Sequence, residues 1–438
     1  MFSPFPRRRR QLASVLALAI LFNLLPLRAQ ASKPTTTSPQ ENSRKTSARS
    51  PDRRSPLAQS PVLEEFRQWA EQFKLGGTIA ASEQTGRELA RRRREVMARL
   101  MDDDPRRAVE MAVPAGIRRK LPESVRREVE EEVSGYGDYL VLVSDEIDPR
   151  TSEFVRSRTE RKVVLDGKTY EARVYGRKEA MTTKLNIPLR GVVMGDVIAL
   201  AESPVRVLDD DANDLSADAP GLDAEVGGRV QRFESREQLE SFEEKLKRSE
   251  TAIGPGVAAA AKSDDVTAQS AWTEGAKTVL LMRIDFSDVP GEPVESYTNV
   301  KLTPARAQAL IDTECSNFYK SNSYNKTSLK VTTTPVLRMP QTSGWYITGT
   351  NYLQLMSDAR AAAKAAGFDT ANFNFDLVAF SNIGFSWAGL GYVGGKGSWL
   401  HGYFDLHVTA HELGHNYGLN HANFWMTTDG SVNGVGES

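Results

Sequence analysis

Eleven consecutive positions near the end of this 438-residue chain, His411 to His421, read His-Glu-Leu-Gly-His-Asn-Tyr-Gly-Leu-Asn-His. On a helix, His411 and His415 stand one turn apart, about 6 Å along the axis, and project from one face toward a common point. Two imidazoles so placed can hold one metal ion. Glu412 lies about 100° round the helix from His411, beside that point rather than on it, where a carboxylate can take a proton from water. Gly418 can adopt the left-handed conformation that ends a helix, and the turning chain then brings up His421 as a third nitrogen. Three neutral nitrogens with one open position describe a catalytic zinc site. All five histidines of the chain, His401, His407, His411, His415 and His421, fall in this stretch and the ten residues before it, whereas core histidines would be scattered. Coincidence at these offsets is expected on the order of a few per million chains.

The element that must position these groups is a helix over Leu406 to Tyr417. Leu406, Ala410, Leu413 and Tyr417 form its core stripe, on the side away from His407, His411 and His415. A fourth imidazole on the metal would occupy the place of the water, so His407 is expected to line the cleft or to be buried. Before this helix the spacing predicts strands over Thr278 to Phe286, Ser328 to Val336 and Phe375 to Phe380. Between them come a helix capped by Thr303-Pro304, with Ala307, Leu310, Ile311, Cys315 and Phe318 on its buried stripe, and a second over Tyr352 to Ala366, stopped by Gly367. Cys315 is therefore expected in the core. Gly389-Leu390-Gly391-Tyr392-Val393-Gly394 spells a dinucleotide-binding pattern, but the glycine-dense run continues where a helix would have to open, which argues against a nucleotide.

The extended motif is the metzincin signature. With Trp387 to Gly394 just upstream, the segment from about Gly275 resembles the gametolysin-like metzincins, most sharply from Phe385 to Trp425. The resemblance implies one catalytic Zn2+ on His411, His415 and His421, with Glu412 as acid/base. It also implies that Leu390, Gly391, Tyr392 and Val393, on the strand forming the upper rim of the cleft, lend backbone groups to an extended peptide. A bulged edge strand without a ligand is the alternative. The family's methionine turn has no clear counterpart, because Met426 follows His421 by only five residues; a C-terminally incomplete catalytic domain at 271–438 is the expectation. Calcium and oligomeric state are left open.

A net charge of −1 with 26% charged residues gives no global field that would favour nucleic acid or a membrane surface. The single cysteine allows no intrachain disulfide. Arg7 to Arg10, the apolar run Leu12 to Leu27 and Ala29-Gln30-Ala31 predict a signal peptide over 1–31 and a secreted or periplasmic product, the apolar run being too short to span a bilayer.

Residues 32–60 are expected to form a disordered tether. Helices are expected within 61–135, including Glu123 to Val133. The run Arg91 to Arg94, flanked by Glu88 and Glu95, reads as a solvated helix face. From Tyr139 the period changes. Asp166-Gly167 predicts a type I′ hairpin between Val163–Leu165 and Thr169–Tyr175, and further strands at Lys184–Ile187, Val192–Leu200 and Val205–Leu208 make a small β-barrel or sandwich over 139–208. Asp209 to Asp211 with Asn213 and Asp214 read as an acidic linker rather than a calcium loop. Phe233 to Lys247 is expected to be helical, and 251–270 an exposed linker.

The fold class expected is therefore α+β: a metzincin-like catalytic domain, a twisted sheet with a zinc helix, preceded by a mixed helical and β-rich region. By position, residues 61–250 resemble a propeptide. Lacking cysteine, that region would inhibit through a carboxylate or by steric cover. The expected activity is peptide-bond hydrolysis by a zinc-dependent endopeptidase acting on protein or peptide, with no nucleic acid and no membrane span after signal removal. The alternatives are a secreted binding or surface protein with an inactive, fragmentary protease domain, and a zinc hydrolase acting on other bonds.

Overall fold

The computed structural model describes residue 57 and residues 60–74, 79–148, 154–208, 221–252, 254 and 272–421. The expected signal at 1–31, nearly all of the tether at 32–60, the acidic run at 209–214, most of the linker at 251–270, and Met426 with the residues after it lie outside the described residues. Residues 54–420 form one compact unit, mixed in helix and strand, that holds every element named below.

Helices Pro61–Lys74 and Ile79–Asp103 pack through Phe66, Trp69 and Ala90. The expected helix at Glu123 to Val133 ends at Arg126, and strand β1 runs Glu131–Ile147. Long-range pairing overrides the local helical spacing: residues 131–139 of β1 pair with β4 (Lys184–Met194), and residues 137–147 pair with β2 (Phe154–Leu165). Strand β2 turns into β3 (Lys168–Arg173) through Asp166 and Gly167, both at positive φ (50° and 76°), which is the hairpin expected there. With β5 (Val197–Leu200), pairing runs β1-β2-β3-β5-β4 and back to β1, closing a small barrel around Tyr139, Val141, Leu165, Ile198 and Leu200. Strands β6 (Val205–Val207), β7 (Leu222–Val226) and β8 (Arg229–Phe233) make a separate sheet. It packs against helix Arg236–Thr251, which starts after Phe233 because Ser235 caps it by accepting from Gln238 N–H.

The Arg91 to Arg94 run is solvated only in part. Arg93 is buried and bidentate on Glu130, while Arg91 and Arg92 reach Glu128 and Glu65 at the surface.

The remaining strands are β9 (Gly275–Asp285), β10 (Thr327–Arg338), β11 (Phe375–Phe380), β12 (Trp387–Tyr392) and β13 (Ser398–His401). They lie in the order β10-β9-β11-β13-β12, all parallel except β12. Thr303 caps Pro304–Gln308 by accepting from Arg306 N–H, and the helical stretch continues through a π-turn at Ala309–Cys315. Cys315 is fully buried there, and burial pushes its thiol up to about 12. The sheet does not stop at β12. Strand β1 pairs antiparallel to it, Leu142 opposite Tyr392, Val143 opposite Gly391 and Ser144 opposite Leu390, so the barrel and the second half of the chain share one ten-stranded sheet. Leu140 and Leu142 of β1 sit in the same apolar cluster as Leu280, Met282 and Trp399. Among the described residues no helix is long and apolar enough to cross a membrane.

Candidate metal centre

The helix Leu406–Tyr417 is held at both ends as its sequence dictates. Asp405 caps its start by accepting from Val408 N–H, and Gly418 at φ 107° ends it in the left-handed conformation that turns the chain. Ala410, Leu413 and Tyr417 are buried on the core side, with Leu406 partly buried beside them. Asn416, fully buried, ties the helix to the β12–β13 turn: its Nδ2 donates to the carbonyls of Tyr392 (3.1 Å) and Gly397 (3.0 Å), and its Oδ1 accepts from Ser398 Oγ (3.1 Å). Gly394 N–H adds a bond to the carbonyl of His415 (2.8 Å).

On the opposite face the imidazoles converge. His411, His415 and His421 each offer a ring nitrogen, and these three atoms lie within 4.8 Å of one another. His411 Nε2 and His415 Nε2 are 3.0 Å apart. His415 Nδ1 is 2.7 Å from the carbonyl of Leu419; since a carbonyl only accepts, Nδ1 carries the proton and the Nε2 lone pair is directed into the cluster. That carbonyl is the orienting group that spacing alone does not reveal. An all-imidazole donor set with one nitrogen fixed for coordination suits zinc. His407 is exposed and not buried, lies outside the group of converging nitrogens, and has its ring centroid 6.4 Å from that of His411. His401 stands apart in the core: Nδ1 is 3.0 Å from the carbonyl of Trp387, Nε2 accepts from Ile383 N–H (2.7 Å), and burial lowers its pKa to about 4.

Glu412 is buried under β12. Its Oε2 has no hydrogen-bond partner, and burial, seconded by the Asp145 carboxylate, raises its pKa well above the ordinary carboxylate range. Gly389 and Gly391 make this possible. A Cβ at Gly389 would overlap the Glu412 carboxylate, and one at Gly391 would come within 2.9 Å of Glu412 Oε2 and 3.0 Å of His415 Cβ. The glycine-rich run thus serves close approach of helix and strand.

Leu390, Gly391, Tyr392 and Val393 are buried, with Gly391 packed against Glu412 and His415, and β12 is not an open edge. Its pairing edge is filled by β1, and Val393 N–H donates to the carbonyl of Val141 (2.9 Å). Asp145, which no motif singles out, lies on that strand with Oδ2 3.5 Å from His411 Nε2.

Residues 279–431 match the family model described as gametolysin peptidase M11. No curated protein and no solved structure matches the chain. The family match runs from β9 through the whole histidine cluster and supports a gametolysin-like metalloprotease, for which proteins are the implied substrates.

Proposed function

We propose that the chain is a zinc-dependent endopeptidase of the metzincin type, exported by the signal read at 1–31. The observation that carries this reading is the convergence of the His411, His415 and His421 nitrogens within 4.8 Å, with the Glu412 carboxylate alongside. When bound there, zinc supplies Lewis acidity to a water and to a substrate carbonyl. The residues of the chain do the rest. Glu412 accepts the proton of the attacking water at Oε2, which its surroundings leave without a hydrogen bond, and returns it to the leaving nitrogen. Burial beneath Gly389 and Gly391 keeps this carboxylate basic and away from bulk water. The Leu419 carbonyl holds His415 in the tautomer that coordinates through Nε2.

Zinc content and cleavage of a generic protein substrate test the proposal. One equivalent of zinc per chain, with peptide-bond cleavage abolished by a chelator and restored by zinc, is the expected result. A chain that holds no metal would return the reading to a secreted binding protein, and a metal-loaded chain that cleaves esters but no peptides to another class of hydrolase.

A further inference from the structure

Where the helix Leu406–Tyr417 passes under β12 it meets two positions with no side chain to grip, because Gly389 and Gly391 face the Glu412 carboxylate directly. The apolar contacts of Ala410, Leu413 and Tyr417 on the other side are non-directional, and alone they leave the helix free to slide along a smooth strand. Directed bonds must set the register. Asn416 makes three of them while fully buried: Nδ2 donates to the carbonyls of Tyr392 and Gly397, and because carbonyls only accept, Oδ1 is the atom turned toward Ser398 Oγ. Ser398 Oγ lies 3.2 Å from the carbonyl of Glu412 as well, so the amide and the hydroxyl together join the turn to the backbone of the proposed base. Aspartate has the same shape without the donors, and leucine has it without any polar atom. The turn that Asn416 grips is itself braced. Tyr392 N–H donates to the carbonyl of Gly397 (3.1 Å), and Arg360, bidentate on the buried Asp376, donates to the carbonyl of Lys396 (2.9 Å).

We infer that Asn416, acting through Ser398, is a positioning residue for the proposed hydrolysis: it fixes where the helix stands along β12, and with it the orientation of the Glu412 carboxylate. That carboxylate is confined between its own helix and Gly389, so a slip of the helix along the strand turns it relative to the three histidine nitrogens. The histidines ride on the helix and its outgoing turn and keep their mutual spacing. Loss of Asn416 therefore slows turnover and leaves the metal in place. This inference rests on the zinc endopeptidase reading above.

The test compares wild type with Asn416→Asp, Asn416→Leu and Ser398→Ala, each expressed as the full chain, loaded with zinc and carried through the same processing. The readouts are kcat and KM on casein, zinc content, and hydrogen exchange at the amides of Tyr392 and Gly394, the second of which donates to the carbonyl of His415. Both Asn416 variants should lose about tenfold or more in kcat, with KM within about threefold, zinc at one equivalent and faster exchange at the two amides. Ser398→Ala should show the same pattern more weakly, and it carries the test if the Asn416 variants do not fold. Leu310→Ala, a fully buried residue of the same half, controls for lost stability alone: its thermal midpoint should fall while kcat stays within about twofold of wild type. A kcat in the Asn416 variants, or in Ser398→Ala if those do not fold, that is no lower than in Leu310→Ala would overturn the inference and reduce Asn416 to a structural amide, with the zinc reading intact. So would a rise in KM at unchanged kcat. Failure of zinc-loaded wild type to cleave casein would instead sink the endopeptidase reading and this inference with it.

Discussion

Gly389 and Glu412 are packed so closely that no side chain fits between β12 and the Glu412 carboxylate: a single added Cβ would collide with Oε1. Gly389→Ala should therefore push Glu412 out of place. We expect hydrolytic activity of the N-terminally processed enzyme to fall about 100-fold or more, metal content to be unchanged, and stability to drop by about 1–3 kcal/mol. Gly344→Ala is the control, because a Cβ there meets nothing within 4 Å, and both its stability and its turnover should match wild type. Equal kinetics for the two variants would show that the carboxylate position is not constrained by β12.

Glu412→Gln removes the proposed base while preserving shape. The kcat of the processed enzyme should fall by about 10² to 10⁴ with bound zinc still at one equivalent, read by elemental analysis. His415→Ala should instead lose the metal. If Glu412→Gln lost zinc as completely as His415→Ala, Glu412 would be a ligand and not the proton carrier.

His401 gives stability a specific acid sensitivity. Its pKa in the fold is lowered from an ordinary 6.5 to about 4, first by burial, so the folded chain keeps it neutral where the unfolded chain protonates it. Above pH 6.5 both states hold it neutral and the contribution is constant. As pH falls from about 6.5 to about 4 the unfolded chain binds the extra proton, and about 3 kcal/mol of stability is lost. Urea midpoints of wild type and His401→Gln across that window should differ in slope, the variant lacking this component. Parallel curves would exclude it.

Arg93 and Glu130 form a buried pair, with side-chain exposures of 3% and 0%, and Arg93 also donates to the carbonyl of Met111. Removing one partner strands a charge. Arg93→Met should cost about 3–5 kcal/mol and Arg93→Met/Glu130→Met together markedly less, a difference that thermal unfolding of the pair of variants can measure.

The half that carries the histidine cluster was legible because its signals are local. Asp405, Gly418, the stripe Ala410-Leu413-Tyr417 and the run Phe375–Phe380 each declare an element within a few residues, and Cys315 falls on its stripe as expected. The geometry of His411 and His415 follows from helical spacing alone. What local pattern does not carry is which distant strand lies beside which. Residues 131–133 look helical until β4 pairs with them, and Arg93 looks solvated until Glu130 is brought to it. Gly389 and Gly391 announced close approach without naming what approaches. Asp145 had no signal in its own neighbourhood, since its significance comes entirely from the register of β1 on β12.

Strand β1 belongs to two structures at once, closing a barrel at one end and extending the β9–β13 sheet at the other. Severing the chain between β8 and β9 would not by itself expel it, because every ladder hydrogen bond and the Leu140 and Leu142 contacts would survive the cut. The product would be a two-fragment complex whose N-terminal piece is a folded body able to return. Its release would obey mass action, sluggish when crowded and swift on dilution, so that separation of the two pieces would be governed by how far they travel after cleavage and not by cleavage alone.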